Sequence, residues 1–221
     1  MIKNNKSYSV SIILPILNEI NSLKKTIKIL NKIKINKEYL IIYSKKLTNK
    51  KVINEIIKLK KKYKNLKHHS QIRPFVGGAI DLGICLAKNK YIVIMASDLE
   101  TNPYELKKMI KTSQNNSNHI ISADRWISQK GFSNYGFIKF FFSYEILDFT
   151  FAYRLYPKKA LKGYRIKELK HGFALEILLF PMKNGFKVIT LPAKWKKRVE
   201  GTSSITLGSY FSYLKVLFKN I

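Results

Sequence analysis

Short apolar runs, each followed by a lysine-studded helical pattern, set the tightest limit on what this chain can fold into. Ser9-Val10-Ser11-Ile12-Ile13-Leu14-Pro15, Tyr39-Leu40-Ile41-Ile42-Tyr43 and Tyr91-Ile92-Val93-Ile94-Met95 are too short for buried helices and read as buried strands. The first ends at a proline. Leu23, Ile27 and Leu30 recur at helical spacing after it, and Ile53, Ile56, Ile57 and Leu59 do so in a helix over 52–63. Residues 67–71 read as an edge strand, and Gly77-Gly78 opens a helix through Ala87. Asn102-Pro103 starts another over 104–112, with proline suited to the first turn. This alternation predicts an α/β fold, a mostly parallel sheet covered by helices on both faces. Ligands of such sheets bind beyond the carboxyl ends of the strands. Three polar clusters fall there: Asn18-Glu19, Ser44-Lys45 and Ser97-Asp98-Leu99-Glu100.

The second half is less regular. Ile120-Ile121-Ser122-Ala123 reads as a strand ending at Asp124-Arg125. Helical patterns cover 137–147, 172–182 and 210–218, and a strand over 187–191 ends at Pro192. The length of 221 residues suits one domain, 1–221. The single cysteine, Cys85, excludes an internal disulfide and reads as a buried small hydrophobe in a reducing compartment. The polar N-terminus lacks a signal-peptide pattern. No run reaches the ~18 uncharged apolar residues of a membrane span, because charges break the best stretch, 137–156. A cytoplasmic location is therefore expected.

The net charge of +29 raises the question of nucleic acid. Lysine is abundant along the whole chain and lies on helix faces such as 58–64, so a solvated surface explains most of it and no nucleic-acid partner is expected. Such a surface still attracts polyanions and anionic membranes.

Asp98 and Glu100 carry the chemistry. A pair of carboxylates at i and i+2, just past a buried strand, can meet one hard cation. Mg²⁺ takes one or two protein carboxylates together with diphosphate oxygens and water. Alone the pair reads first as capping for the helix that follows Thr101-Asn102-Pro103. Glu176 can serve as a general base towards a hydroxyl or as a structural carboxylate. Gly77-Gly78 lacks both the dinucleotide fingerprint and the Walker lysine.

Taken in order, these segments resemble glycosyltransferase family 2. Ile12-Ile13-Leu14-Pro15-Ile16-Leu17-Asn18-Glu19 is similar to the opening strand of the family. Gly77-Gly78-Ala79 with Gly83 is similar to the glycine-containing helix before the metal strand. Tyr91 to Pro103 resembles the metal strand itself. Asp148-Phe149-Thr150 with Phe151-Ala152-Tyr153-Arg154-Leu155-Tyr156, then Gly172-Phe173-Ala174-Leu175-Glu176, then Trp195-Lys196-Lys197-Arg198-Val199-Glu200-Gly201-Thr202-Ser203 follow in family order. The subgroup that makes dolichyl- or polyprenyl-phosphate sugars is the most similar.

The resemblance implies a GT-A type Rossmann-like fold, with a nucleotide-sugar half over 8–125, an acceptor half over 126–206 and an amphipathic helix over 207–221. It implies an inverting, Mg²⁺- or Mn²⁺-dependent transfer of a sugar from a nucleotide-sugar to a polyprenyl-phosphate-type acceptor. Asp98 and Glu100 would bind the metal. Pro15, Asn18, Glu19, Ser44, Gly78, Ser97, Asp98, Arg198 and Ser203 would line the donor. Arg125, Asp148, Arg154 and Glu176 would face the acceptor. Arg198 and Glu176 join Asp98 as catalytic candidates, Arg198 because a guanidinium fork grips phosphate oxygens. The basic surface and Phe137 to Phe142 suit peripheral docking on an anionic membrane at its cytoplasmic face. Two positions depart from the family pattern. Ser44 stands where an aspartate usually follows the second strand, and Ala96 stands where the metal motif usually begins. They leave open a transfer to a glycan hydroxyl and a catalytically degenerate basic scaffold.

Overall fold

The computed structural model describes residues 8–125, 127, 148–194, 200 and 207–219. The strands are β1 (Ser9–Ile16), β2 (Asn36–Tyr43), β3 (Leu66–Ser70), β4 (Tyr91–Ile94), β5 (Ile120–Asp124), β6 (Arg154–Pro157) and β7 (Val188–Pro192). The helices are α1 (Ile20–Asn31), α2 (Lys50–Lys62), α3 (Phe75–Leu86), α4 (Leu106–Asn115), α5 (Phe173–Lys183) and α6 (Leu207–Phe218). One sheet has the order β3-β2-β1-β4-β6-β5-β7. β1, β2, β3 and β4 are parallel, as are β5 and β7. β6 runs antiparallel to both β4 and β5.

Strand alternation sorts the core onto the two faces of the sheet. Ile12, Leu14, Tyr39, Ile41 and Val93 pack with Leu23, Ile27, Ile56 and Met109 from α1, α2 and α4. Ile13, Leu40, Ile42, Ile92 and Ile94 pack with Ile80, Leu175, Leu178 and Leu217 from α3, α5 and α6. Gly83 lets α3 sit flush on the sheet, since a Cβ there would lie 2.5 Å from a methyl of Ile13.

Two expectations shift. β1 runs through Pro15 to Ile16, because proline at 15 keeps the extended backbone. Cys85 is exposed, because the glycines and Asp81 of α3 form its inner face and turn Cys85 outward.

Burial raises the phenol pKa of Tyr8, Tyr39, Tyr91, Tyr153 and Tyr156 above the ordinary 10.0. Groups raised in the folded state stabilise it fully below the unfolded value, and that stability is lost as pH rises towards the folded value. Each fully buried phenol, such as Tyr153 or Tyr156, then removes about 1.4 kcal/mol per pH unit above ~pH 10. Urea midpoints measured against pH are expected to fall steeply from there, and a flat profile to pH 11 would contradict this burial.

Candidate functional site

Every sequence-derived candidate that is described lies at or near the carboxyl edge of the sheet, where the loops after β1, β2, β4 and β5 emerge. The turn after β4 is tightly built. Ser97 donates its hydroxyl to the Pro15 carbonyl (2.8 Å), tying the turn to the end of β1. Thr101 Oγ1 accepts the N–H of Ala96 (3.1 Å), closing the turn from the other side. Between them Leu99 adopts a left-handed backbone, φ +65°, a conformation that costs about 1–2 kcal/mol for a residue with a Cβ. The turn brings the Glu100 N–H back onto Asp98 Oδ1 (3.0 Å). Asp98 is buried and Glu100 half-buried. Neither caps the following helix: the side chain of Asn102 does that, accepting from Tyr104 N (3.2 Å). The left-handed Leu99 thus stands between the two candidate carboxylates.

Among the described residues no group of three or more His, Cys, Asp or Glu side chains is arranged to hold a metal by itself. Asp98 and Glu100 fit a Mg²⁺- or Mn²⁺-type ion whose remaining ligands come from a diphosphate and water. Ala96, half-buried beside them, adds no ligand.

Around this turn the other donor-side candidates divide. Asn18 Oδ1 accepts the Asn49 N–H at the start of α2 (3.0 Å), joining the loops after β1 and β2. Glu19 folds back on its own turn, accepting from the N–H groups of Leu17 (2.9 Å) and Asn18 (3.0 Å). One oxygen of its carboxylate thus braces the turn after β1. Ser44 Oγ accepts from Leu47 N (3.3 Å) and shapes the loop after β2. Gly78 is required for packing, because a Cβ there would meet the Arg73 carbonyl oxygen at 2.3 Å.

Sequence reading did not single out Glu200. Its carboxylate accepts from Ser22 N (2.9 Å) and from Asn21 Nδ2 (3.1 Å) in the first turn of α1. An anion is favoured there by the unpaired amides and the helix dipole. This contact fixes one residue of the Trp195–Ser203 stretch next to the end of β1. Its neighbours Arg198 and Ser203, with Trp195 and the aromatic stretch Phe137 to Phe142, lie outside the described residues.

On the acceptor side, Arg125 leaves the end of β5 and is clamped by Asp148, with Nε to Oδ2 at 2.6 Å and Nη2 to Oδ1 at 3.0 Å. Thr150 Oγ1 takes a further bond from Nη2 (3.1 Å), and the guanidinium carbon stands 4.5 Å from the centre of the Phe151 ring. Asp148 itself is buried, so it orients Arg125 and is not an acceptor contact. Asp124, also fully buried, receives the N–H groups of Asp148 (3.1 Å) and Ile127 (3.2 Å) and holds this segment against the sheet.

Arg154 corrects the sequence reading most clearly. It is wholly buried. Its guanidinium donates to the carbonyls of Ala174 (2.5 Å), Asp148 (3.1 Å) and Phe149 (2.8 Å) and to Ser122 Oγ (3.1 Å). It joins β6, β5 and α5 from within and meets no acceptor.

Glu176 is buried too. It accepts from Tyr164 OH (2.5 Å), Lys167 N (2.8 Å) and Glu168 N (2.6 Å). Burial first, then the Glu176 carboxylate, pushes the Tyr164 phenol well above its ordinary value, so this proton stays on the tyrosine. Asp81, which the sequence did not flag, holds the same 164–169 loop from α3 through Ile166 N (2.9 Å), Arg73 (2.9 Å) and Arg165 (2.8 Å).

A cavity of about 510 Å³ lined by Lys90, Tyr91, Pro157, Lys158 and Lys162 lies at the opposite, amino-terminal edge of β4 and is separate from this chemistry. No helix among the described residues is long and apolar enough to cross a membrane.

The sheet order, the antiparallel β6 and the acidic turn past β4 define a GT-A type nucleotide-sugar transferase fold. Structures of glucosyl-3-phosphoglycerate synthase from Mycobacterium tuberculosis superpose on it. One, with Mn²⁺, UDP and phosphoglyceric acid, has a TM-score of 0.77 at 12% identity over 98% of this chain and 80% of that one. Another, with Mg²⁺ and UDP, has a TM-score of 0.77 at 11% identity over the same shares. A third, with Mn²⁺, UDP-glucose and phosphoglyceric acid, has a TM-score of 0.73 at 12% identity over 98% and 81%. Residues 11–173 match the family described as glycosyl transferase family 2, and the chain belongs to that family. It is a glycosyltransferase with a nucleotide-sugar donor.

Proposed function

We propose that the enzyme transfers a sugar, with inversion, to the phosphate of a polyprenyl-phosphate-type acceptor. The observation that carries the choice of acceptor is the state of Glu176. A hydroxyl acceptor needs a base to remove its proton. Glu176 is the acidic residue at the family's acceptor position, and its carboxylate already accepts three hydrogen bonds from the 164–168 loop. Buried and held by those three donors, the carboxylate is poorly placed to receive the proton of an acceptor hydroxyl. A phosphate is already ionised at neutral pH and needs no base.

In this reading Asp98 and Glu100 hold the donor diphosphate through Mg²⁺ or Mn²⁺, whose charge would favour departure of the nucleoside diphosphate. Asn18, Ser44 and Ser97 shape the loops around the nucleotide. Arg125, held rigid by Asp148, presents its guanidinium on the acceptor side. An acceptor phosphate oxygen forms a bond to the anomeric carbon as the bond from that carbon to the diphosphate breaks, and in-line geometry inverts the centre. Arg198 and Ser203, which the family resemblance assigns to the donor, would complete the phosphate contacts.

Glu176→Gln tests the choice. A phosphate acceptor predicts turnover within about tenfold of wild type and a loss of about 1–3 kcal/mol in stability, from backbone N–H groups left facing an amide. Abolished turnover with an unchanged melting temperature would favour a hydroxyl acceptor.

A further inference from the structure

The loop between β3 and α3 is built inside out. Its polar side chains turn inward. Gln71 Nε2 donates to the carbonyls of Arg73 (2.8 Å) and Phe75 (3.0 Å), and its backbone N–H bonds to Tyr43 O (2.8 Å) at the end of β2. Arg73 reaches Asp81 and the Ile166 carbonyl (2.7 Å). Its apolar side chains turn outward: Ile72 is 91% exposed and Phe75 56% exposed, with Pro74 exposed between them. Phe75 holds φ +60°, so the fold accepts backbone strain at a ring that packs into no core. The adjacent loop, after β2, adds Leu47 at 69% exposure. β2 and β3 are paired through Tyr43 and Ser70, so both loops leave the same corner of the sheet.

Charge surrounds this apolar tip. Lys45, Lys46 and Lys50 are exposed on the β2 loop, and Lys170 Nζ lies 5.5 Å from the centre of the Phe75 ring. Residues 44–52 and 71–80 contain no acidic side chain. An apolar tip ringed by lysines matches an anionic bilayer, with side chains entering the acyl boundary and ammonium groups at the headgroups. The same lysines, on a chain of net charge +29, oppose the meeting of two copies through this face.

We infer that the loops after β2 and β3 form a membrane-docking face for anionic lipid, with Ile72, Phe75 and Leu47 as the inserting residues. The face stands on its own geometry, and its use in catalysis rests on the lipid-phosphate acceptor proposed above. It lies on the carboxyl edge that carries Asp98, so docking would bring the site to the bilayer surface.

The test is co-sedimentation with vesicles of phosphatidylcholine, with and without phosphatidylglycerol, using the wild-type chain and the double variant Ile72→Ser, Phe75→Gly. Glycine at 75 relieves the positive φ, so the variant is expected to melt no lower than wild type. Wild type should bind the phosphatidylglycerol vesicles, and the variant should lose about tenfold or more in partitioning while its charge is unchanged. Equal binding by both proteins would mean that lysines alone hold the membrane, and would overturn the inference. So would a wild type that binds neither vesicle, or one whose apolar tip makes it a dimer that the variant does not form. Turnover of a short-chain, water-soluble prenyl phosphate tests the acceptor separately. Its absence would sink the acceptor proposal and leave vesicle binding to decide this one.

Discussion

Asp98→Ala is expected to lower kcat/KM for sugar transfer by about a hundred- to a thousandfold, which corresponds to ~3–4 kcal/mol of transition-state stabilisation. The size follows from what the turn offers. With Ala96 beside it, the site has two carboxylates on that turn, Asp98 and Glu100. Removing one of two protein ligands weakens the hold on a diphosphate far more than removing one of four. The fold should tolerate the change, because Ser97, Thr101 and Asn102 carry the other hydrogen bonds of the turn. Losing the bond from Glu100 N to Asp98 Oδ1 costs about 1 kcal/mol. Circular dichroism melts run beside initial rates separate the two effects. Unchanged transfer by Asp98→Ala with every donor tried would remove this turn from the mechanism.

Arg154→Ala should produce the largest loss of stability, about 3–5 kcal/mol, or a fall of roughly 10 °C in Tm. The guanidinium satisfies three main-chain carbonyls and a hydroxyl at a point where β5, β6 and α5 meet. Alanine leaves those carbonyls buried without donors and opens a cavity. Arg154→Lys should recover little, because one ammonium cannot span the same carbonyls as a planar fork. Transfer should fail as a consequence of unfolding, so rates well below the melting temperature should recover. A variant that melts as wild type does but has no activity would restore Arg154 to the acceptor site.

The contrast between Arg154 and Arg125 shows where sequence reading runs out. Both follow aromatic or aliphatic runs near acidic residues, and both looked suited to an acceptor phosphate. The fold buries one and leaves the other at a strand end, because β6 runs opposite to its neighbours and starts at Arg154. Reversed strand direction has no local signature in four residues. By contrast β1, β2 and β4 were legible, since buried parallel strands read as unbroken aliphatic runs. The turn at 97–100 was legible as a pair of carboxylates, but the left-handed Leu99 was not, because leucine gives no hint of positive φ. Glu19 and Glu176 were found by position, but their partners, main-chain N–H groups and for Glu176 also the Tyr164 hydroxyl, were not, because no side-chain pattern announces them. Asp81 and Glu200 were missed for the same reason, with partners 85 and 178 residues away in sequence.

Binding of a nucleoside diphosphate at this carboxyl edge, through a cation held by Asp98, underlies the proposed transfer. Thermal stabilisation by UDP, GDP and dTDP, with and without Mn²⁺, measures it directly. A rise in Tm is expected with at least one nucleotide, one that requires Mn²⁺ and vanishes in Asp98→Ala. No rise with any of them, or an equal rise without Mn²⁺ and in the variant, would contradict it.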